Sequence, residues 1–260
     1  QSESGQGLGL RYGKSSMQGV RKPMEDAHVI TPDLSGEDSG GFFGVFDGHG
    51  GSEAAKFLSK NLPEILAEEL IKDKDEDEDV EDALRKAFLR TDEEILEELE
   101  SLEDQRSGTT AVVALIRGNK LYVANVGDSR AVLCRNGKAV QLTEDHKPSN
   151  EDERERIREA GGFVSNGRVN GVLALSRALG DFFLKPYVIA EPDVTVVELT
   201  EKDDFLILAS DGLWDVLSNQ EVVDIVRKHL SKGGPQEAAK KLIDLAIARG
   251  SKDNITVVVV

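Results

Sequence analysis

The amino-acid sequence predicts an α+β fold in which mostly antiparallel β-sheets are stacked and covered by helices. The predicted strands come in runs, and the predicted helices lie between those runs in pairs. Residues 109–143 alone show the apolar segments of a β meander, with turn residues at 118–119, 127–128 and 136–137. A doubly wound parallel sheet would instead require single strands and helices in strict alternation.

The first part of the chain is predicted to supply strands and then two helices. The predicted order is a loose polar lead-in over residues 1–9, strands over 10–17, 28–30 and 41–46, and helices over 52–70 and 80–102. Apolar residues recur with the helical period in both helices. Because Pro63 lacks the N–H that a helix interior uses, we expect the first helix to be interrupted there.

The part after the meander is predicted to hold a short helix, a flap and further strands and helices. The predicted order is a helix over residues 151–160, a flap over 163–181, strands over 194–199 and 205–210, helices over 221–230 and 235–249, and a last strand over 255–260. Small and polar residues dominate the flap segment, which is typical of a surface feature. Gly234 and Pro235 open the last helix, and Gly250 closes it.

Composition limits the size, compartment and partners of the protein. The 260 residues are 39% hydrophobic, enough for a substantial core, and we predict one domain over residues 1–260. A formal net charge of −17 disfavours nucleic acids and anionic membranes as partners. The lone Cys134 excludes an internal disulfide, and the sequence shows no signal segment or apolar membrane span. We therefore expect a soluble, cytoplasmic protein.

The stretch GFFGVFDGHGGS, residues 41–52, carries the strongest candidate site. An apolar strand ends at Asp47, and the glycines around it let the backbone approach whatever Asp47 and His49 hold. The run FLILAS repeats this arrangement and ends at Asp211. An Asp-Gly pair alone is most often only a turn. Two such pairs at the ends of buried strands, however, would place two carboxylates on one rim of a sheet.

Further carboxylates lie in turns at predicted strand ends, and together they indicate a metal site with oxygen ligands. The set is Glu25, Asp26, Asp47, Asp128, Asp211 and Asp253. Hard oxygen ligands without Cys or His clusters favour Mg²⁺ or Mn²⁺ over zinc or copper. Asp128 is explained equally well as part of a hairpin turn. His28, His146 and His229 fit structural or surface roles, whereas His49 stands out through its DGHGG setting.

A carboxylate site for two divalent ions suits the transfer of a phosphoryl group to water. Two ions about 3.5 to 4 Å apart lower the pKa of a bridging water towards ~7 and stabilise in-line attack. Arg21 is the candidate for holding the phosphate oxygens in a bidentate fork. His49 is the candidate general acid for a serine or threonine leaving group, a role worth about 10² to 10⁴ in rate.

Competing chemistries lack the residues that they need. A cysteine nucleophile in a C-x5-R loop would require arginine where Val140 stands, so Cys134 is expected to be a small apolar strand residue. The sequence contains neither the NHE segment of histidine-rich metallophosphatases nor a GxxxxGK[ST] loop.

Eight segments, in this order, resemble the metal-dependent type 2C serine/threonine protein phosphatases: RKPMEDAH, FGVFDGHGG, SGTTA, VANVGDSRAVL, LTEDHKP, LALSRALGD, LASDGLWDVL and SKDNITV. The resemblance covers roughly residues 8–260. It implies a four-layer α-β-β-α sandwich with a two-metal centre at one end of its sheets and a flap over residues 147–180. It also implies Mn²⁺- or Mg²⁺-dependent hydrolysis of phosphoserine and phosphothreonine in proteins, by a monomer.

The resemblance implies a role for each matched residue. The implied ligands of two metal ions are Asp47, Asp211 and Asp253, the carbonyl of Gly48, and Glu25 acting largely through bound water. Asp128 resembles a ligand of a weaker third metal, shared with Asp211. Arg21 resembles the phosphate-binding arginine, and His49 the general acid. Asp26, Asp181 and Asp215 also match family motifs and are interpreted as supporting or structural residues.

Two rival functions remain open at this point. The first is a pseudophosphatase that keeps the fold as a binding or scaffold module, although such a protein would be expected to have lost metal aspartates, and Asp47, Asp211 and Asp253 are all present. The second is a phosphomonoesterase that acts on small molecules with the same centre. A comparison of phosphoprotein with sugar phosphate as substrate separates the second rival from a protein phosphatase.

The distribution of the resemblance suggests a family-average sequence, engineered or reconstructed. The amino-terminal third is more similar to animal members, whereas LKPYVIAEPDV and ILASDGLWDVL are more similar to plant members. Averaged sequences collect stabilising residues, so we predict a melting temperature above the range of about 45–65 °C that is usual for mesophilic domains. Calorimetry measures it, and a value inside that range would count against the hypothesis.

Overall fold

Two antiparallel sheets lie face to face between two layers of helices in the computed structural model. The structure describes residues 2–7, 9–34, 40–72, 78–101 and 106–260. The predicted stacked α+β sandwich is confirmed.

The strands and helices carry these bounds. The strands are β1 (Ser2–Gly7), β2 (Leu10–Met17), β3 (Ala27–Thr31), β4 (Gly41–Phe46), β5 (Gly48–His49), β6 (Gly108–Thr109), β7 (Ala111–Arg117), β8 (Lys120–Val126), β9 (Arg130–Arg135), β10 (Lys138–Gln141), β11 (Val164–Ser165), β12 (Arg168–Val169), β13 (Leu179–Gly180), β14 (Asp193–Glu198), β15 (Asp203–Ala209) and β16 (Ile255–Val259). The helices are α1 (Glu53–Lys72), α2 (Glu78–Ser101), α3 (Glu151–Glu159), α4 (Asp211–Trp214) and α5 (Asn219–Ala248), with a 3-10 turn at Phe182–Leu184.

In both main sheets, the order of the strands differs from their order along the chain. A six-stranded sheet has the order β1-β2-β16-β15-β9-β10, and a five-stranded sheet has the order β14-β8-β7-β4-β3. Two smaller sheets consist of very short strands, β13-β6-β5 and β11-β12. In the six-stranded sheet β16 pairs with β2, so residues from both ends of the chain are neighbours there.

Alternating side chains fill the three apolar layers of the sandwich. Along β4, Phe42 and Phe46 face α1 and α2, whereas Phe43 and Val45 face the other sheet. Strand β15 alternates in the same way between the inter-sheet layer and the layer under α5. Because both faces of these strands are buried, their sequences are continuous apolar runs. Burial on both faces fixes the register of each strand, since a slip of one residue would exchange the two layers.

Two predicted elements differ from the structure, and a third is confirmed. The lead-in is not loose, because β1 pairs with β2 from Ser2 opposite Ser15 to Gly7 opposite Leu10. Helix α1 continues through Pro63, since its buried residues pack on the five-stranded sheet on both sides of the proline. Gly234, with φ of 75°, separates α5 into the two predicted helical halves.

The predicted meander is also interrupted. Strands β7 and β8 pair in the five-stranded sheet, whereas β9 and β10 pair in the six-stranded sheet. Residues 127–129 therefore pass from one sheet to the other, and the hairpin interpretation of Asp128 is wrong. This crossing places Asp128 at the end of the sandwich, between the two sheets.

The flap region has an apolar cluster of its own. Ile157 of α3 packs with Val169, Ala178 and Val188, apart from the three layers of the sandwich. In the described part of the chain, no helix combines the length and the apolarity needed to cross a bilayer.

A buried ion cluster joins α3 to the return segment of the flap. Glu153 of α3 is 5% exposed, and its Oε1 accepts hydrogen bonds from Arg177 Nε and Nη2 at 3.0 and 2.7 Å. Its Oε2 accepts from Arg156 Nη2 at 3.0 Å. Burial alone would raise the pKa of Glu153, but the hydrogen bonds, led by that of Arg177, outweigh burial and lower the pKa to about 2.

We predict that Glu153→Gln destabilises the protein by on the order of 2 kcal/mol at pH 7, because a buried charged pair loses one partner. The pKa in the folded state lies below that of the unfolded chain, so the contribution is complete above about pH 5 and is lost as the pH falls towards 2. Urea unfolding of both proteins between pH 3 and 7 measures the difference. Glu151→Gln, in the same helical turn but with a side chain 87% exposed, is the control. Equal losses in both variants would contradict the prediction.

Candidate metal centre

Several carboxylates that directly follow or precede core strands lie at one end of the sandwich. Asp47 follows β4, Asp211 follows β15 after Ser210, and Asp253 precedes β16. Asp128 lies in the crossing between β8 and β9. The strands come from both main sheets, so the site lies where the two sheets meet.

Three of these carboxylates form a tight cluster. One oxygen from each of Asp47, Asp128 and Asp211 lies within 4.8 Å of the others. Asp128 is only 5% exposed. The Oδ1 atom of Asp211 is buried and has no hydrogen-bond partner, and the same holds for Oδ1 of the neighbouring Asp26. Buried carboxylate oxygens without donors are costly, so this cluster is suited to a cation.

Thr110 connects the backbone of Asp47 to Ser129, the residue after Asp128. The Asp47 N–H donates to Thr110 Oγ1 at 3.2 Å, and the Thr110 N–H donates to the Asp47 carbonyl at 2.9 Å. Thr110 Oγ1 also lies 2.7 Å from Ser129 Oγ, next to Asp128. The SGTTA segment thus fixes the end of β4 against the crossing between the sheets.

Burial and mutual repulsion shape the titration of the cluster. Burial raises the pKa of Asp47 well above its ordinary value, and the charges of Asp26, Asp211 and Asp128 raise it further. Burial also raises the pKa of Asp211 to about 7, with further increases from Asp128, Asp215 and Asp253. Asp47 and Asp211 therefore resist ionisation while their neighbours are charged, and a divalent cation would remove that conflict.

The chain itself contributes one cation to this cluster. Lys147 Nζ forms an ion pair with Asp128 Oδ2. Burial lowers the pKa of Lys147, but the charge of Asp128, and more weakly those of Asp211 and Asp215, raises it overall. The lysine is therefore charged at neutral pH. Its segment, LTEDHKP, belongs to the resemblance, but the sequence assigned Lys147 no role at the metal site.

Arg21 and Asp253 lie together beside the cluster. Arg21 Nη2 is 2.7 Å from Asp253 Oδ2, and the arginine side chain is 57% exposed. Asp253 lies outside the three-carboxylate cluster, although its charge raises the pKa of Asp211. Arg21, the predicted phosphate-binding residue, thus contacts Asp253, a predicted metal ligand.

Asn254 holds the loop of Arg21 in place and was missed by the sequence reasoning. Its side-chain N–H groups donate to the carbonyls of Gln18 and Pro23 at 2.8 and 3.1 Å, and its Oδ1 accepts from the Glu25 N–H at 2.8 Å. Asn254 is 4% exposed, so these bonds are shielded from water. Its partners lie 229 to 236 residues away in the chain, so no local pattern indicated this role.

Glu25 and Gly48 lie at the edge of the cluster. Glu25 Oε1 accepts from the Gly51 N–H at 2.7 Å. A Cβ atom at Gly48 would collide with the Glu25 carbonyl oxygen, so only glycine fits at this position. The structure therefore explains the glycine between Asp47 and His49 by a close approach of two backbone segments.

His49 is paired with Asp181. His49 Nε2 lies 2.7 Å from Asp181 Oδ2, and the Asp181 side chain is 7% exposed. Burial lowers the pKa of His49, but the hydrogen bond and charge of Asp181 outweigh it and raise the pKa above 6.5. Asp181 has φ of 52°, a left-handed conformation that a residue other than glycine adopts at a cost. Sequence reasoning placed Asp181 among the supporting residues without identifying this contact.

The donor set fits hard divalent cations. The clustered ligand atoms are carboxylate oxygens, and none of the described residues adds a cysteine or a histidine to the cluster. Such ligands suit Mg²⁺ or Mn²⁺. The predicted site residues therefore fall into a central group, Asp47, Asp128 and Asp211, and a surrounding group, Arg21, Glu25, Gly48, His49 and Asp253.

Several known proteins are similar to this chain over most of its length. A sequence profile described as "Protein phosphatase 2C" matches residues 10–255. A relative from Oryza sativa subsp. japonica, named "Probable protein phosphatase 2C 32", is 47% identical over 248 residues, which cover 92% of this chain and 62% of the relative. "Protein phosphatase 2C homolog 2" of Aspergillus fumigatus is 44% identical over 287 residues, covering 100% of this chain and 66% of the relative. The chain thus spans less than two thirds of the length of these relatives.

Solved structures show the same fold. The structure of a C. elegans sex determining protein superimposes with a TM-score of 0.88 at 34% identity, covering 95% of this chain and 64% of the other. A serine-threonine phosphatase 2C from Toxoplasma gondii superimposes with a TM-score of 0.86 at 26% identity, covering 100% of this chain and 98% of the other.

We predict that Asp211→Asn stabilises the chain in chelator and abolishes its stabilisation by Mn²⁺. Removing one of several mutually repelling buried charges favours the folded state, with each kcal/mol raising the melting temperature by about 2 to 4 °C. The same change removes a cation ligand, so the rise in melting temperature with Mn²⁺ should disappear. Melting curves in EDTA and in Mn²⁺ measure both effects. Asp224→Asn, at an exposed position on α5, should change neither. A variant with an unchanged response to Mn²⁺ would contradict the prediction.

Proposed function

Because the chain belongs to the protein phosphatase 2C family, we propose that it hydrolyses phosphoserine and phosphothreonine esters in proteins and needs Mn²⁺ or Mg²⁺ to do so. The observation that carries the proposal is the convergence of Asp47, Asp128 and Asp211 within 4.8 Å, with a buried Asp211 oxygen that lacks a donor. This arrangement is costly for stability and is explained by the binding of cations. Phosphoproteins are the proposed substrates, and a monomer is the expected form.

The proposed ligands would hold three ions, two of them together and a third through Asp128. Asp47, Asp211 and Asp253 would hold two ions together with the Gly48 carbonyl and Glu25, and Asp128 would hold a third with Asp211. The bound ions would supply an activated water for attack on phosphorus and offset the charge of the phosphate. The carboxylates themselves would repel a phosphate dianion, so the ions are also required for substrate to enter.

Arg21 is the proposed phosphate-binding residue. It lies beside Asp253 at the rim of the cluster, and its guanidinium is 57% exposed. An exposed planar fork next to the carboxylates can meet two phosphate oxygens from the solvent side. The Asn254 bonds to the Arg21 loop keep this position fixed, which reduces the entropy lost when substrate binds.

His49 is the proposed general acid, and Asp181 positions it. Because Asp181 holds Nε2 and raises the pKa of the ring, His49 retains a proton at a higher pH than an isolated histidine. A serine or threonine alkoxide is a poor leaving group and needs that proton. Asp181 thus acts through His49, and its left-handed backbone is maintained in part by a 2.7 Å bond from the Gly180 N–H to Asp92 Oδ1 on α2.

The proposal predicts that release of phosphate depends on both the ion and the leaving group. The wild-type chain should release phosphate from a phosphothreonine peptide in Mn²⁺ and not in EDTA. His49→Gln should slow this reaction by about 10² to 10⁴. It should slow hydrolysis of p-nitrophenyl phosphate far less, because p-nitrophenolate leaves without a proton.

The rate of phosphate release, measured on both substrates in quenched time points, tests these effects. His229→Gln, on α5, is the matched control and should behave as wild type. No phosphate release in Mn²⁺ would favour the pseudophosphatase, and activity confined to sugar phosphates would favour the small-molecule esterase. Equal losses on both substrates would contradict the role of His49 as an acid.

A further inference from the structure

Lys147 is the cation that the structure places in the carboxylate cluster. Its Nζ contacts Asp128 Oδ2, and Asp128 is one of the three clustered carboxylates. Within the described residues, no other lysine or arginine forms an ion pair with Asp47, Asp128 or Asp211. The Lys147 side chain is 38% exposed, whereas that of Asp128 is 7% exposed. The pair thus connects a buried carboxylate to a lysine with access to solvent.

The backbone fixes Lys147 opposite Asp128. The His146 N–H donates to the Gly127 carbonyl at 2.9 Å, and the Gly127 N–H donates to His146 Nδ1 at 3.1 Å. These two bonds join the residues that directly precede Lys147 and Asp128. His146 Nε2 lies 3.0 Å from Asp193 Oδ2, and its carbonyl accepts from the Ser176 N–H at 3.2 Å. These bonds hold the backbone of Lys147 beside Asp128, so the ion pair follows from the fold.

We propose that Lys147 is a tethered competitor for the ion at Asp128: a divalent cation can use Asp128 only by displacing the lysine ammonium. The inference rests on the proposed metal centre and adds to it a residue that controls one ion. An ammonium and a divalent ion on one carboxylate repel each other, and the carboxylate has few oxygens to share. Lys147 therefore lowers the affinity of the site for the ion at Asp128. It changes the affinity for ions held through Asp47 and Asp253 less.

The competition also connects the ion to the flap. Lys147 is the first residue of the predicted flap, residues 147–180, and its carbonyl accepts the Asn150 N–H at 3.0 Å just before α3. When the ion takes Asp128, the ammonium moves towards solvent, which its partial exposure permits. Occupation of Asp128 thus changes the charge presented at the start of the flap, next to the site that a phosphate would enter.

Binding of Mn²⁺ to the purified chain tests the proposal. Titration calorimetry, together with the electron paramagnetic resonance signal of free Mn²⁺, gives the number of ions and their affinities. Lys147→Met should tighten the weakest Mn²⁺ by about tenfold, since one competing charge is removed. Lys147→Arg keeps the charge and should stay close to wild type. Lys86→Met, which removes an exposed lysine paired with Asp82 on α2, is the matched control and should change nothing.

A second change assigns the effect to Asp128. In the double variant Lys147→Met with Asp128→Asn, the tightened ion should be lost while the stronger ions remain. In EDTA, Lys147→Met should melt below wild type, because Asp128 is left buried without a cation, and Mn²⁺ should raise its melting temperature by more than it raises that of wild type. Lys147→Gln repeats the test with a polar side chain should the methionine variant fold poorly.

The outcomes separate this inference from the proposed function. If Mn²⁺ binds to wild type but Lys147→Met and Lys147→Gln leave the weakest affinity unchanged or lower it, the competition is refuted and the metal centre stands. If wild type binds no Mn²⁺, the metal centre and the competition both fail. If Lys147→Met weakens binding of inorganic phosphate without altering Mn²⁺ binding, the lysine is a phosphate ligand and the competition is refuted.

Discussion

The repulsion among buried carboxylates at one end of the sandwich is the constraint on which the rest of the site depends. Asp47, Asp128 and Asp211 lie within 4.8 Å of one another, and the pKa values of Asp47 and Asp211 are raised by burial and by their neighbours. Such a cluster opposes folding, so the core must supply the stability that holds it together. Strands buried on both faces do so, because they fix the backbone on each side of every aspartate.

The cationic side chains at the cluster follow from the same repulsion. Lys147 contacts Asp128 within the cluster, and Arg21 contacts Asp253 beside it, so each offsets the charge of one carboxylate. His49 instead pairs with Asp181, at the end of the flap segment, and this contact raises the pKa of the histidine. The chain thus offsets only part of the negative charge of the cluster, which leaves the rest to the ions that we propose the carboxylates hold.

The crossing between the sheets at residues 127–129 couples the cluster to the flap. Thr110 connects Asp47 to Ser129, and His146 connects Gly127 to the segment that begins the flap. Glu153 then joins α3 to Arg177 in the return segment of the flap. A change at Asp128 is therefore close to hydrogen bonds that reach both the sheets and the flap, which is the structural reason to expect that ion and flap influence each other.

The sequence by itself determined the layered fold and the identity of most candidate ligands, because both depend on local patterns. Apolar runs such as FFGVF and FLILA fix buried strands, and an Asp-Gly pair after each run places Asp47 and Asp211 at strand ends. Only the tertiary structure decided which carboxylates share a cluster and which cations reach them. Asp128 resembled a hairpin turn until its flanking strands proved to lie in different sheets, and Lys147, Asn254 and the Asp181 contact of His49 depend on pairings across 19 to 236 residues. Such pairings leave no periodic pattern in sequence, since they are set by how the sheets stack and not by the residues next to them.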